Sequence, residues 1–276
     1  MAENQTPLLA RLVDDLSRVP GVHAIALGGS RARGSAGARS DYDIGLYYEP
    51  GAPFDVALLQ KVAVELDDRG PAATVTPIGA WGQWINGGGW LTVEGERVDL
   101  LYRDLQRVRA AIADCREGRI ERDYQPGHPH AFVSSIYMGE VACGRILWDP
   151  AGSLAALKEL TNPYPRRLAE AVIDAFLWEA EFALENARHG RGLEDATYVM
   201  GCSFRCIACL CQVLFAVNGV YLLNEKGAVA ATASLARRPD AFAARAAASL
   251  QAVLAGRPAD GLQELDRLVS ETRALT

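Results

Sequence analysis

Gly28-Gly29-Ser30-Arg31-Ala32-Arg33-Gly34, followed by Ser40-Asp41-Tyr42-Asp43-Ile44-Gly45-Leu46, is the stretch on which the fold reading turns. An apolar run, Val22 to Leu27, precedes it. The order is a strand, a tight glycine turn, a short basic loop, and a second strand that opens with two carboxylates one residue apart. Side chains at i and i+2 of a strand share a face and lie roughly 6–7 Å apart. Asp41 and Asp43 can therefore share one hard cation, while Tyr42 and Ile44 point the other way, into a core. Mg²⁺ prefers oxygen ligands and often takes one or two carboxylates together with substrate phosphates. The Gly-Gly-Ser turn adds backbone N–H groups and a hydroxyl, and a helix starting there would offer its N-terminus to an anion. Together these parts describe a site for a metal-bound polyphosphate.

Working outward, Thr6 to Arg18 spaces Leu8, Leu9, Leu12, Val13 and Leu16 as one helix face, and Pro20-Gly21 ends it. Asp43 to Tyr48 is the second strand, closed by Glu49-Pro50-Gly51. Asp55 to Arg69 is an amphipathic helix stopped by Gly70-Pro71, and Ala73 to Ile78 is a short β-type run. Trp81 to Trp90 then places three tryptophans and three consecutive glycines in ten residues. It reads either as a glycine-rich hairpin or bulge whose tryptophans cap the core or as a flexible wall of the substrate or nucleotide pocket. Leu91–Glu94 and Arg97–Tyr102 read as a hairpin turning at Gly95-Glu96. Its second arm holds Asp99 inside an apolar strand. A charge there is costly unless paired or metal-bound, so Asp99 is the natural third member beside Asp41 and Asp43. An edge-strand Asp facing water is the plainer alternative.

Arg103 to Arg116 reads as a helix, Asp123 to His130 as a loop in which His128 and His130 are either ligands or proton carriers or, the plainer reading, anchors of the loop, and Phe132 to Val141 as a helix. From Arg166 the pattern is helical only. Arg166–His189, broken by Gly190-Arg191-Gly192, is followed by a nearly all-round apolar helix from Asp195 to Asn218, the mark of a central bundle element. Arg205 within it reaches a cleft or pairs with Glu179 or Glu181. Asn224 suggests an N-cap, and Ala241–Leu254 and Gly261–Leu275 complete a bundle. The expected division is residues 1–150 and 151–276, between the turns at Asp149-Pro150 and Asn162-Pro163.

The chain has 276 residues, is 50% apolar and carries a net charge of −6. The acidic balance argues against nucleic acid, whose affinity comes from Lys and Arg neutralising phosphates. Met1 to Arg18 shows no secretory apolar core, and the apolar run Cys206–Val217 is too short to span a bilayer. A soluble cytoplasmic protein is expected. Cys202, Cys206, Cys209 and Cys211 cluster on a helix, without the paired Cys-x-x-Cys knuckles of a zinc site. They read as small buried hydrophobes.

The ordered set Gly28-Gly29-Ser30, then Asp41-x-Asp43, then Asp99 resembles the polymerase-β-type nucleotidyltransferase superfamily, over roughly residues 5–105. A small domain of that type followed by a helical bundle is similar to the aminoglycoside and related antibiotic nucleotidyltransferases. The resemblance implies an α+β fold, with a mixed sheet flanked by helices and then an all-α bundle closing over the cleft. It implies transfer of a nucleoside monophosphate from an NTP, ATP by preference, to a hydroxyl of a small molecule, with pyrophosphate leaving. Asp41, Asp43 and Asp99 would hold Mg²⁺, two ions in all, and Asp99 would alternatively take the acceptor proton. Gly28, Gly29 and Ser30 would grip the phosphates, with Arg31, Arg33 and, from the bundle, Lys226 assisting.

Three other readings stand beside this one. The motif also resembles the protein AMPylators of toxin–antitoxin pairs, which are shorter and lack so large a bundle. A nucleotide-binding regulator that has lost catalysis would not need the complete acidic triad. RNA transfer would call for a basic, aromatic-interleaved patch that the sequence lacks. The chain is expected to be a monomer or homodimer.

Overall fold

We describe a computed structural model of the chain over residues 6–34, 36–37, 40–189 and 194–276. Ser35, Ala38 and Arg39 of the basic loop, and the break expected at Gly190–Gly192, lie outside these residues. Contacts group the chain into two compact units, Met1–Ala113 with Tyr137–Pro163, and Asp114–Ile136 with Tyr164–Thr276. The division falls at three points, where the change of pattern suggested one, after residue 150.

The first unit is built on a five-stranded mixed sheet. Its elements are α1 (Pro7–Ser17), β1 (Ala24–Leu27), α2 (Gly29–Ala32), β2 (Tyr42–Tyr48), α3 (Val56–Leu66), β3 (Gly88–Val93), β4 (Glu96–Asp104) and α4 (Leu105–Arg116). The small strands β5 (Arg122–Asp123) and β6 (Phe132–Val133) pair in the second unit. Then α5 (Ser135–Cys143), β7 (Arg145–Trp148) and α6 (Ser153–Glu159) complete the first. The sheet order is β3-β4-β2-β1-β7. Only the β2–β4 pair is parallel.

Caps fix the helix starts as the sequence suggests. The Thr6 hydroxyl accepts the Leu9 amide at 3.3 Å, and Asp55 Oδ1 accepts the amides of Ala57 and Leu58 at 2.8 and 3.2 Å. Alternation does the rest. Tyr42, Ile44, Leu46 and Tyr48 of β2 join Val98, Leu100 and Tyr102 of β4 and Leu91 and Val93 of β3 in one core, against Leu8, Leu9, Leu12 and Leu16 of α1 and Leu59, Ala63 and Leu66 of α3. The odd-numbered residues of β2 and β4 consequently lie on the opposite face. Part of that face is closed by an ion pair of buried Arg103 with Glu140 of α5, both bonds 2.7 Å.

Four expectations change. Ala73–Ile78 forms no strand, only an isolated bridge between Val75 and Gly89. The hairpin turns at Glu94-Gly95, both at positive φ, because Val93 pairs with Glu96. Phe132-Val133 is a strand, so α5 starts at Ser135. The strand β7 and the helix α6 are additional, too short to register as periodic runs.

The second unit contains α7 (Arg166–Arg188), α8 (Ala196–Val217), α9 (Ala228–Ala231), α10 (Phe242–Leu254) and α11 (Pro258–Arg273). α8 is capped by Asp195, whose Oδ1 accepts the Tyr198 amide at 3.0 Å, and it packs on α7, α10 and α11. At 22 residues it is long and apolar enough to cross a membrane, which the shorter apolar run did not suggest. Most of its apolar length is buried in this unit, the setting of a core helix. Arg205 takes the pairing option, with its Nε 2.6 Å from Glu179 Oε1. Cys206, Cys209 and Cys211 are free and buried, and burial pushes each thiol up, Cys211 to about 12. Asn224 caps no helix: its Oδ1 accepts the Lys226 amide at 2.8 Å, and α9 begins only after Gly227.

Candidate active site

β1 ends at Leu27, and the chain turns at once into the single helical turn α2. The Gly28 amide donates to Asp43 O at 2.7 Å, which ties the turn to the start of β2. Gly29 has φ +60, and a Cβ there would fall on Asp43 Oδ2. Only glycine fits, for its backbone angle and for the carboxylate lying over it. The glycine-serine turn and the Asp-x-Asp strand are thus one packed unit.

The register of the parallel pair places Asp43 opposite Asp99. Asp41 precedes β2 by one residue, on the same face as Asp43 by alternation. All three carboxylates are half-buried. Arg97, two residues before Asp99, forms an ion pair with Asp41 Oδ1. The signal for this partner in the sequence is its i−2 spacing from Asp99, which puts Arg97 on the same face of the strand.

Arg31 is held on three sides. Its guanidinium stacks 3.7 Å from the centroid of the Tyr42 ring, its Nε donates to Ser40 O at 3.0 Å, and its Nη2 lies 3.2 Å from Glu96 Oε2. Arg33 is exposed. Lys226 belongs to the second unit and is also exposed. Glu225 beside it is fixed by His128 Nδ1 at 3.1 Å and by the amides of His130 and Ala131 at 3.0 and 3.3 Å. His128 and His130 therefore anchor their loop.

The donor set suits Mg²⁺. Three carboxylates converge on one face without nitrogen or sulfur donors among them, and hard cations select oxygen. A second group, His130, Glu179 and Cys209, brings its ligand atoms within 4.8 Å of one another. There, however, Glu179 already meets Arg205 Nε and Arg122 Nη1, each at 2.6 Å, and His130 Nε2 at 3.0 Å. Burial opposes the charge of Glu179, but His130 and Arg205 outweigh it and bring the carboxyl down to about 2. A cation would have to displace two guanidiniums, so this is a charge network of the helical unit.

The tryptophan loop resolves into distinct parts. Trp84 is buried against Tyr137, with ring centroids 5.7 Å apart. Trp81 and Trp90 stack at 4.6 Å and 25°. Gly87, Gly88 and Gly89 are buried, not flexible. A Cβ on Gly88 would strike Leu100 O and come within 2.8 Å of Trp81 Cζ3.

These features define a class: a mixed sheet with a glycine-serine turn packed on paired strand carboxylates, followed by helices. Residues 9–78 match the family described as nucleotidyltransferase domain. The match spans Gly28–Ser30, Asp41 and Asp43, with Asp99 beyond its end. Such a domain supports nucleotidyl transfer in general and an NTP as substrate. No curated protein matches the chain. Among solved structures, a nucleotidyltransferase-like protein from Exiguobacterium sibiricum 255-15 is similar over 95% of this chain and 73% of its own, at 11% identity and a TM-score of 0.44.

Proposed function

We propose that the chain is a Mg²⁺-dependent nucleotidyltransferase that moves a nucleoside monophosphate, AMP from ATP, onto a hydroxyl of a small molecule of the aminoglycoside-like antibiotic kind, releasing pyrophosphate in the cytoplasm. The observation that carries this reading is the fit of Gly29 beneath the Asp43 carboxylate, with Asp99 in register beside it. The turn that would bind phosphate and the carboxylates that would hold the cation are thereby joined in one piece.

Asp41, Asp43 and Asp99 would hold the metal, which supplies charge neutralisation at the transferring phosphate. The amides of Gly29 and Ser30 and the Ser30 hydroxyl would hold the outer phosphates. Asp99 would accept the proton of the attacking hydroxyl as its oxygen bonds to the α-phosphorus. The bond to the β-phosphate then breaks, and pyrophosphate carries away the electron pair. Such catalysis is mostly positioning and charge compensation.

The test is pyrophosphate release from the full chain with Mg²⁺, each NTP in turn, and a panel of aminoglycosides and lincosamides. Turnover with ATP and one panel member supports the reading. Absence of turnover with all members removes the antibiotic acceptor, and absence of MgATP binding by calorimetry removes the nucleotidyl transfer itself.

A further inference from the structure

Across the sheet the strands run β1, β2, β4, β3. The phosphate turn follows β1, Asp43 is on β2, Asp99 on β4, and Trp90 on β3. Trp90 is paired directly with Asp99 in the antiparallel register. Cross-strand partners project from the same face with Cβ atoms about 4.5–5.5 Å apart. Trp90 therefore stands next to Asp99 on the side away from the phosphate turn. A hydroxyl served by Asp99 can approach from that side without crossing the phosphate turn.

The indole is built to present a flat face. Trp81 stacks behind it, and the absent side chain of Gly88 makes room for Trp81. The backbone is pinned as well, because Trp90 O accepts a 2.6 Å bond from Arg69 Nη2, and Arg69 is itself gripped by Asp67. Yet Trp90 remains 63% exposed, whereas the adjoining β3 residues Gly89 and Leu91 are buried. A large apolar ring held rigidly beside a polar site, and left uncovered, is a stacking platform. Its low entropy cost on binding follows from the backing ring and the pinned backbone.

We propose that Trp90, backed by Trp81, binds the acceptor by stacking against one face of a ring, aromatic or the C–H face of a sugar, so that the acceptor is a ring-bearing hydroxyl compound whose ring lies one strand beyond Asp99. This rests on the nucleotidyltransferase reading and narrows its acceptor. An acyclic polyol or a serine side chain has no ring to lay on the indole.

The experiment uses the full chain with MgATP and two acceptor sets, ring-bearing (aminoglycosides, lincosamides, aryl glycosides) and ringless (glycerol, sorbitol, a serine peptide), with pyrophosphate as readout. MgATP affinity is measured separately by calorimetry. Stacking on one aromatic side chain changes affinity by roughly tenfold or more. Turnover confined to the ring-bearing set supports the proposal, provided that Trp90→Ala raises acceptor KM about tenfold with kcat and MgATP affinity kept, and that Trp90→Phe restores most of it. Trp81→Ala should give a smaller rise. Turnover of ringless acceptors, an unchanged acceptor KM in Trp90→Ala, or weaker MgATP binding in that variant overturns it, the last assigning the platform to the nucleobase. MgATP binding without turnover of either set also overturns it. Failure of the wild type to bind MgATP overturns the underlying reading instead.

Discussion

Asp43 and Asp99 occupy the same register of the parallel β2–β4 pair and face the same side of the sheet. Two like charges on adjacent strands repel, and cross-strand pairs of this kind are destabilising. A bound cation would relieve that repulsion beyond what the contacts each carboxylate already makes within the chain do. We therefore expect Asp43→Asn and Asp99→Asn to melt at or above the wild-type temperature without Mg²⁺, while transfer falls by about 10²–10⁴-fold, the usual range for a lost acid–base group. Thermal melts with and without Mg²⁺, beside a pyrophosphate assay, check both signs. A variant that loses activity through unfolding would speak against the assignment.

Gly29→Ala should be far worse than its size suggests. The added methyl falls on Asp43 Oδ2, and φ is +60. Gly34 has a similar φ of +69 but open space around the methyl position, so Gly34→Ala isolates the backbone cost, roughly 1 kcal/mol. We expect Gly29→Ala to cost more stability than Gly34→Ala and to abolish turnover. Urea unfolding of the pair makes the comparison. Equal effects would mean that Asp43 moves aside without consequence.

Arg31 and Arg33 look interchangeable in the sequence but are not in the fold. Arg31 stacks on Tyr42, bonds to Ser40 O and pairs with Glu96. Arg33 is exposed. Arg31→Ala should destabilise by about 1–2 kcal/mol, from one neutral-acceptor hydrogen bond and one stacking contact. Arg33→Ala should stay within about 0.5 kcal/mol, as surface changes do. Denaturant midpoints decide. If Arg33→Ala alone weakens MgATP binding, Arg33 is the phosphate-facing residue and Arg31 the anchor of the β2 entry.

Most of the sheet was legible because its signals are local. The apolar alternation of β2 and β4, the leucine spacing after Thr6, and the glycine turn each speak within a few residues. Asp99 was legible because a charge inside an apolar strand demands a reason. What stayed hidden depends on pairing. β7 is only four residues long and becomes a strand by hydrogen-bonding to β1. Ala73–Ile78 has the composition of a strand, but among the described residues its ladder pairing is one isolated bridge, Val75 with Gly89. Gly87–Gly89 suggested flexibility in sequence, whereas close approach of Tyr102, Leu100 and Val75 is why side chains are missing there. The Arg97–Asp41 pair likewise needed the register of β2 against β4.

Glu179 should set the acid limit of the helical unit. Burial disfavours its charge, but His130 and Arg205 hold the carboxyl down to about 2 from 4.5. A carboxyl lowered in the folded state adds stability that is fully present above 4.5 and is lost as pH falls from 4.5 towards 2. The shift of about 2.5 units corresponds to roughly 3 kcal/mol. Glu179→Gln, which leaves three cationic or hydrogen-bonding partners without their carboxylate, should cost about 3–5 kcal/mol at neutral pH. The gap to wild type should narrow below pH 4. Urea titrations between pH 3 and 7 test this, and a gap that stays constant with pH would show that the carboxylate charge is not what the network uses.

Arg97 competes with any cation for Asp41. Its guanidinium pairs with Asp41 Oδ1 while itself 63% exposed, so the pair is a surface ion pair weakened by solvent. Such pairs are worth about 0–1 kcal/mol, which limits the competition to roughly fivefold in apparent cation affinity. Arg97→Ala should therefore lower the Mg²⁺ concentration at half-maximal rate by up to about fivefold, with little change in the maximal rate. The sign carries the information. If half-saturation moves instead to higher Mg²⁺, Arg97 has left Asp41 in the working complex and holds the triphosphate. In that case Arg97→Lys, which keeps the charge but loses the planar fork, should recover part of the loss, whereas a pure competitor should show Arg97→Lys at or near the wild-type Mg²⁺ dependence.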